Sequence, residues 1–300
     1  MTRRNTPRVS FIGFGEAGQA IAAGLREAGL ERIAAWDILF PQAEGAPLKA
    51  AGETSGVRLA ASAADAVKET DLIVSAVTAA SSLEAARSVA PHLAGNPYYL
   101  DINSVSPGRK QQTAALIGER ARYIDVAVVA AIHPARHRTP LLIAGPHAEA
   151  AAPLLRELEM QFSVVGAQTG GAAAIKMIRS VMIKGIEALT LECFLAASRA
   201  GVLEEVTASL KNNYPGLDWA KLSEYNLERM ASHGERRAAE MEESAATLRE
   251  LGLDPLMVEA TVQRQREMGA IGKVAPVKAS LTQGRAAILR AIGDAKKPLL

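Results

Sequence analysis

The chain has 300 residues, 49% of them hydrophobic, and 34 basic residues nearly balance 32 acidic residues, for a formal net charge of +2. This composition is typical of a globular protein of about two domains, and its charge gives no electrostatic basis for nucleic-acid binding. The single Cys193 excludes an intramolecular disulfide. The sequence shows no metal-ligand cluster, membrane-spanning run or secretion signal, so we expect a cytoplasmic protein without metal.

The first motif is a glycine-rich turn that follows an apolar strand beginning at Val9 and opens a helix. Gly13 allows a sharp turn, Gly15 lets the backbone approach a pyrophosphate, and Gly18 permits close packing of helix on strand. The helix N-terminus offers N–H donors and a positive dipole end to phosphates. A purely structural turn is the alternative. We predict dinucleotide binding by the whole turn: Gly13, Phe14, Gly15, Glu16, Ala17 and Gly18.

The second predicted strand, residues 32–36, ends at Asp37, 19 residues beyond Gly18. A carboxylate at this position accepts a hydrogen bond from an adenosine ribose hydroxyl in dinucleotide-binding folds. No Arg or Lys follows at residues 38–40 to neutralise a 2′-phosphate. The sequence therefore predicts NAD as the cofactor, with NADP less favoured. The alternative is that Asp37 only begins a turn before Pro41.

Strand and helix patterns alternate through the first half of the chain. Further strands are predicted at residues 71–77, 98–101, 123–129, 140–144 and 162–165, with helices near 61–68, 82–90, 108–120 and 149–160. This alternation predicts an α/β fold with a doubly wound, mostly parallel Rossmann-type sheet. From residue 171 to 200 the pattern is one long helix, and the remainder is helical with breaks at 214–216 and 252–255.

These patterns predict two domains. A Rossmann domain that binds NAD(P) spans residues 1–168, and an all-helical domain for substrate binding and dimerisation spans residues 169–300. A long apolar helix has more surface than one subunit easily covers, so we expect a homodimer through the helical domain.

The second motif is the Gly170-Gly171 pair that opens the long helix, with Lys176 one to two turns later. Lys176 has apolar neighbours, including Ile175 and Met177. Partial desolvation lowers the pKa of a lysine toward the range useful for proton transfer. The alternative is a lysine that extends to solvent from an amphipathic helix.

Polar residues follow the predicted strand at 98–101. Open α/β sheets bind ligands at the carboxyl ends of their strands. We therefore assign Asn103, together with Val77 at the end of the preceding predicted strand, to the cofactor, and Ser104 to the substrate. Ser106, which precedes Pro107, is predicted to cap the next helix.

The turn at 13–18, the segment Asp101–Pro107 and the segment Gly170–Lys176 together resemble the β-hydroxyacid dehydrogenase and 6-phosphogluconate dehydrogenase superfamily. The resemblance covers essentially the whole chain. It implies a Rossmann domain, an all-helical second domain and a dimer that shares its active sites. It also implies that Lys176 takes the proton of a substrate hydroxyl as hydride passes to the nicotinamide, as in 3-hydroxyisobutyrate dehydrogenase and tartronate semialdehyde reductase.

Three departures from the family's pattern stand out. Val129, Ala130 and Ala131 occupy the segment where the family usually has a Ser-Gly-Gly run that holds the substrate carboxylate. Ser180 replaces an asparagine one turn after the lysine, and Ala239 replaces a later lysine. We keep the first three residues and Ser180 as substrate-binding candidates, since a serine hydroxyl still donates a hydrogen bond, with shorter reach.

A small anionic substrate then needs other partners. His233, Arg236 and Arg237 form a His-x-x-Arg-Arg pattern that is similar to that of a less characterised subgroup of the superfamily. An arginine fork binds a carboxylate or phosphate bidentately. Alternatively, the two arginines pair with Glu240 and nearby acids on a solvated face. The basic loop from His133 to Arg138 is a second candidate.

The sequence thus predicts an NAD(P)-dependent oxidoreductase that acts on a small hydroxy acid or on its keto or semialdehyde form. We expect no nucleic-acid or membrane partner. Two alternatives stay open. One is a decarboxylating phosphogluconate-type dehydrogenase or an imine reductase on the same scaffold, and the other is a non-catalytic dinucleotide-binding protein.

Overall fold

The computed structural model describes residues 6–296. The chain forms two compact units that divide between Lys176 and Met177. This division lies eight residues beyond the predicted boundary at residue 168. The reason is that the first turn of the long helix is hydrogen-bonded to Asp125, a strand residue of the first unit.

The first unit is built on one eight-stranded sheet of order β3-β2-β1-β4-β5-β6-β7-β8. All neighbouring strands run parallel except β6 and β7. The predicted doubly wound, mostly parallel sheet is confirmed. The strands are β1 (Val9–Ile12), β2 (Ile33–Trp36), β3 (Arg58–Leu59), β4 (Leu72–Ser75), β5 (Tyr98–Asp101), β6 (Arg122–Val128), β7 (Leu141–Ala144) and β8 (Phe162–Gly166).

Over the described residues of the first unit, six α-helices precede the long helix that leaves it. They are α1 (Glu16–Glu27), α2 (Ala46–Thr54), α3 (Ala63–Ala66), α4 (Ser82–Val89), α5 (Pro107–Ile117) and α6 (Ala148–Glu157). Neither α2 nor β3 was predicted from the sequence. Gly52 is the buried residue of α2, so this helix lacks the buried apolar stripe that reveals a helix in sequence, and β3 has two residues.

The central strands are buried on both faces of the sheet. Val9 and Phe11 pack in a core on one face, and Ile12 and Ile73 pack in a core on the other. Parallel strands covered on both faces give continuous apolar runs, which is why β1, β4 and β5 were predictable.

The second unit is helical. After α7 (Gly171–Ala200), which begins in the first unit, it contains α8 (Leu203–Asn213), α9 (Trp219–Glu250), α10 (Leu256–Ile271), α11 (Ala275–Ser280) and α12 (Arg285–Ala295). The predicted breaks at 214–216 and 252–255 separate α8 from α9 and α9 from α10. Helices α9 and α10 approach closely where Gly234 meets Gly269. A Cβ on Gly234 would lie only 2.5 Å from the nitrogen of Gly269, so a side chain does not fit there. Within residues 6–296, no helix has the length and apolar character needed to cross a membrane.

Candidate active site

The predicted dinucleotide turn joins β1 to α1, and its three glycines have different surroundings. Gly13 has a φ of +90°, and a Cβ on it would lie 2.4 Å from the carbonyl oxygen of Ala76. A Cβ on Gly18 would lie 2.6 Å from the carbonyl oxygen of Gly13. Around Gly15, no described atom lies within 4 Å of the Cβ position. Close packing requires glycine at positions 13 and 18, whereas Gly15 faces open space.

The N-terminus of α1 suits a phosphate. The helix begins at Glu16 with Gly15 as its N-cap, and no side chain of the described residues caps it. The first N–H groups of a helix have no partner within the helix, and the positive end of the helix dipole lies at the same terminus. Gln19 donates a hydrogen bond of 2.8 Å to the carbonyl of Phe14 and braces the turn. The residues present therefore fit a dinucleotide pyrophosphate at Gly15.

Asp37 lies directly after β2 and contacts the glycine turn. Its Oδ2 accepts the N–H of Phe14 at 2.7 Å, and its Oδ1 accepts the N–H of Leu39 at 3.0 Å. Asp37 thus begins the turn before Pro41, as the alternative interpretation predicted. It also lies beside the glycine turn. A carboxylate has about four acceptor sites, so these two bonds leave capacity for a ribose hydroxyl.

Asn103 joins the carboxyl ends of β4 and β5. Its Oδ1 accepts the N–H of Val77 at 2.7 Å, and its Nδ2 donates to Ser75 Oγ at 3.0 Å. The side chain is buried. Asn103 therefore fixes the strand ends at the carboxyl edge of the sheet, and its contact with the cofactor stays a prediction, as does that of Val77.

The predicted acid–base residue lies against the predicted substrate residue. Lys176 Nζ donates a hydrogen bond of 2.5 Å to Ser104 Oγ, and both side chains are half-buried. Ser104 follows β5, so the contact places the ammonium at the carboxyl edge of the sheet. Nearby, Ser106 Oγ accepts the N–H of Arg109 at 3.3 Å and caps α5, as predicted.

Buried charges that were not predicted from the sequence lie beneath this edge. Lys110 of α5 lies between Asp101 and Asp125, and all three side chains are buried. Burial raises the pKa of Asp125, while Lys110 opposes that shift. Burial beside Asp101 raises the pKa of Tyr123 well above its usual value.

Lys110 was missed because its segment, residues 108–112, has the composition of a solvated helix turn. The signal that reveals it is spacing. Lys110, Thr113 and Ile117 form the buried stripe of α5 at intervals of three and four residues. Among residues 6–296, no group of three or more His, Cys, Asp or Glu side chains could hold a metal ion.

The segment after β6 carries the altered family motif and the basic loop. Val129 is half-buried, and Ala130 and Ala131 are exposed. In the loop, Arg136 pairs with Glu27, and Arg138 pairs with Glu159. The basic charges of this loop are therefore paired with acidic residues of the first unit itself.

His137 lies in the same loop and is buried. Burial and the neighbouring Arg138 lower its pKa. A histidine in these surroundings is poorly suited to hold a positive charge for an anionic ligand.

In the second unit, Ser180 is buried and accepts a hydrogen bond of 3.2 Å from Lys184 Nζ, one turn further along α7. The same ammonium lies 2.9 Å from Glu240 Oε2. Lys184 was not singled out from the sequence, although the four-residue spacing from Ser180 signals a shared face. Because the Lys184 ammonium occupies an acceptor site of the Ser180 oxygen, the serine hydroxyl can still donate its own hydrogen to another group.

Arg237 differs from both of its predicted roles. It is buried, and its guanidinium forks onto Glu187, with Nε 3.0 Å from Oε2. Gln265 donates to the same carboxylate at 2.8 Å. Arg237 is therefore not on a solvated face, its partner is not Glu240, and its fork is occupied by a protein carboxylate rather than open to a substrate anion.

The remaining residues of the pattern lie on α9. Arg236 and Ala239 are exposed, and His233 is half-buried. Burial, with the nearby positive charges of Arg229 and Arg236, lowers the pKa of His233. The substrate roles of His233 and Arg236 stay predictions.

Two family matches cover much of the chain. Residues 8–167, more than half of the chain, match the NAD binding domain of 6-phosphogluconate dehydrogenase. Residues 197–268 match a domain of unknown function, DUF1932. The first match covers the sheet with the glycine turn, and the second covers most of α8 to α10.

Two solved structures are similar in sequence as well as fold. A conserved hypothetical protein from Sinorhizobium meliloti 1021 is 36% identical, with 96% of each chain covered and a TM-score of 0.79. The conserved protein MTH1747, whose structure revealed similarity with 3-hydroxyacid dehydrogenases, is 30% identical, with 88% of this chain and 97% of that chain covered and a TM-score of 0.71.

Two enzymes share the fold at lower identity. The 3-hydroxyisobutyrate dehydrogenase of Mycobacterium tuberculosis, solved with L-serine, is 16% identical, with 97% of this chain and 100% of that chain covered and a TM-score of 0.72. An imine reductase variant from Myxococcus stipitatus, in complex with NAD+, is 22% identical, with 95% and 99% covered and a TM-score of 0.54. These likenesses show the fold alone.

Proposed function

Because the chain belongs to the 6-phosphogluconate dehydrogenase-like family of NAD-binding proteins, we propose that it is an NAD(P)-dependent oxidoreductase with Lys176 as general acid and base. The predicted family is confirmed. The contact between Lys176 and Ser104 carries the proposal, since it brings the Lys176 side chain to the carboxyl edge of the sheet that bears the glycine turn. The proposed substrate is a small hydroxy acid or its keto or semialdehyde form.

Each residue has a role in this proposal. Bound NAD(P) supplies the hydride acceptor or donor. The neutral amine of Lys176 takes the proton of the substrate hydroxyl during oxidation, and the resulting ammonium returns it during reduction. Ser104 accepts a hydrogen bond from Nζ and so fixes the direction of the amine. Asn103 holds the strand end that carries Ser104.

The cofactor and substrate contacts extend this assignment. We propose that the turn from Gly13 to Gly18 holds the pyrophosphate and that Asp37 favours NAD over NADP, since residues 38–40 carry no basic side chain. Residues Val129 to Ala131, Ser180, His233 and Arg236 stay proposed substrate contacts. Arg237 is left out because Glu187 occupies its fork.

A second candidate function is the reduction of a C=N bond. The observation in its favour is the apolar segment Val129 to Ala131, which lacks the hydroxyl that the family pattern uses to hold a substrate carboxylate. A substrate without a carboxylate suits this segment. The fold shared with an imine reductase is compatible with the same function.

We also propose that the second unit binds a second copy of the chain. Ile178, Met182 and Leu189 are 48%, 65% and 58% exposed on α7 and are spaced by four and seven residues. This spacing places the three side chains in one apolar row along the helix, which can pack against another helix. In a dimer with two-fold symmetry, each subunit presents the same row to the other. Met182→Glu should convert dimers to monomers in sedimentation experiments, and a monomeric wild-type protein contradicts the proposal.

The central test is Lys176→Met, which keeps most of the length and packing of the stem and removes the exchangeable proton. We expect kcat to fall at least about 10²-fold, since general acid–base catalysis contributes about 10²- to 10⁴-fold. NAD affinity should be unchanged, because the phosphates are proposed to lie at the glycine turn. Steady-state kinetics on a panel of hydroxy acids and imines, with calorimetry for NAD, measure both.

The exposed Lys211→Met on α8 is the matched control and should behave as wild type. A folded Lys176→Met protein that turns over at a near wild-type rate contradicts the mechanism. Tight NAD binding by the wild-type protein with no turnover across the panel supports the non-catalytic alternative instead.

A further inference from the structure

Lys110 is a fully buried lysine that the proposed mechanism does not use. Its Nζ lies 3.1 Å from Asp101 Oδ1 and 3.6 Å from Asp125 Oδ1. It also donates to the main-chain carbonyls of Asp101, at 2.5 Å, and Val126, at 3.3 Å. A buried ammonium is costly unless paired and hydrogen-bonded, and these four oxygens surround it. Since Asp101 and Asp125 are register partners, Lys110 links neighbouring strands β5 and β6.

The first arm of this arrangement leads to Lys176. While Oδ1 of Asp125 faces Lys110, Oδ2 accepts the N–H groups of Gly170, Ala172 and Ala173 at 3.0 to 3.1 Å. The first N–H groups of a helix have no partner within the helix, and a carboxylate there also meets the positive end of the dipole. Asp125 therefore fixes the start and direction of α7, which carries Lys176 just beyond its first turn.

The second arm leads to Ser104. Asp101 Oδ1 accepts the N–H of Asn103 at 3.0 Å, and Asp101 Oδ2 accepts the hydroxyl of Tyr123 at 2.7 Å. Asn103 is in turn bonded to Ser75 and to the N–H of Val77. Asp101 therefore fixes the strand end immediately before Ser104.

The two arms close a ring through the Lys176 to Ser104 hydrogen bond. We propose that Lys110 is a positioning residue, which holds Ser104 and Lys176 at bonding distance by linking Asp101 to Asp125. The proposal rests on the acid–base function proposed for Lys176. Without the ammonium, two buried carboxylates on neighbouring strands would repel each other, and both the helix cap and the strand end would loosen.

The test uses Lys110→Met and Asp125→Asn in the full chain. Asp125→Asn keeps the side-chain shape and one acceptor oxygen, so it remains informative if Lys110→Met does not fold. The matched control is Lys68→Met, which removes an exposed lysine of the same unit. The first measurement is hydrogen–deuterium exchange of residues 170–176, with β1 as the internal reference. The second is the acetylation rate of Lys176 by acetic anhydride, relative to exposed Lys211.

Both variants should speed exchange at residues 170–173 about 2- to 30-fold, the factor expected for a weakened helix cap. Lys176, released from Ser104, should be acetylated faster, while exchange in β1 stays at the wild-type rate. With any substrate that the wild-type protein turns over, kcat should fall about tenfold or more without loss of NAD affinity, since misplacement by ~1 Å can cost about 10²-fold. A role confined to stability would not separate kcat from NAD affinity in this way.

Folded variants with wild-type exchange at residues 170–173 and wild-type acetylation of Lys176 overturn the positioning role. These two measurements need no substrate. If the variants show altered exchange and acetylation but the wild-type protein turns over no substrate, the role of Lys110 in positioning Lys176 is supported and the proposed oxidoreductase function is refuted.

Discussion

The glycine turn and the Lys176 centre lie in the same unit but are held together by different forces. The turn is shaped by close packing of backbone, with a Cβ on Gly13 or Gly18 excluded by carbonyl oxygens at 2.4 and 2.6 Å. The Lys176 centre is held by buried charges, in which one ammonium links two carboxylates. The first region is therefore sensitive to added volume, and the second is sensitive to unpaired charge.

The second unit also uses buried charge to fix helices. Arg237 and Gln265 converge on Glu187, which joins α9 and α10 to α7. Lys184 links α7 to Glu240 of α9. Removing one partner of such a pair leaves a buried charge without compensation, whereas removing both partners is far less costly.

The largest expected effect follows from breaking one of these pairs. Arg237→Met should lower the free energy of unfolding by about 3–5 kcal/mol, because the Glu187 carboxylate is left buried and unpaired. The adjacent Arg236→Met is the matched control, since Arg236 is exposed and a surface change costs within about 0.5 kcal/mol. Urea titration measures both free energies.

The double variant Arg237→Met with Glu187→Met should recover most of that loss. If Arg237→Met and Arg236→Met were equally stable, the stability of the second unit would not depend on its buried charge pairs. If Arg236→Met raised KM with kcat unchanged, that result would support its proposed contact with an anionic substrate.

The next effect tests the region that depends on shape. Gly13→Ala should cost about 1–3 kcal/mol in unfolding free energy from its left-handed backbone conformation, in addition to the clash with Ala76. Gly15→Ala should leave stability unchanged, because its φ is −74° and its Cβ meets open space. Its methyl group would instead enter the proposed pyrophosphate site and weaken NAD at least about tenfold, or ~1.4 kcal/mol.

Thermal unfolding and NAD calorimetry on the two alanine variants separate these outcomes. The exposed Gly29, at a positive φ of 91°, serves as the control for backbone strain without a ligand. Wild-type NAD affinity in Gly15→Ala would mean that the turn is not the pyrophosphate site.

The two regions also differ in how well the sequence revealed them. Gly13, Gly15 and Gly18 lie within six residues, and each has a local reason to be glycine, so the turn was predictable from spacing. Lys176 and Ser104 were predicted separately, from a family resemblance and from their positions after a glycine pair and a strand. Their contact joins residues 72 positions apart, and neither local pattern contains that information.

The buried charges of the protein were not predictable from the sequence pattern. Lys110, Lys184 and Arg237 have the side-chain chemistry of surface residues, and each is buried because a carboxylate on a different strand or helix neutralises it. Periodicity identifies which face of a helix is buried, but it does not identify the partner that makes a buried charge tolerable. The same limit explains why Arg237 was assigned to the substrate.

The last expected effect concerns Asp37, where a charge lies beside the region built by packing. Asp37→Ala should weaken NAD by about 1–3 kcal/mol through loss of a charge-assisted hydrogen bond to ribose, and should weaken NADP much less, since the repulsion of a 2′-phosphate is also removed. Asp37→Asn is the control, because its amide oxygen can still accept the N–H of Phe14 that Asp37 Oδ2 accepts at 2.7 Å. If calorimetry showed equal losses for NAD and NADP in the alanine variant and none in the asparagine variant, Asp37 would act by bracing the turn. A loss specific to NAD in both variants would instead assign the preference to its negative charge.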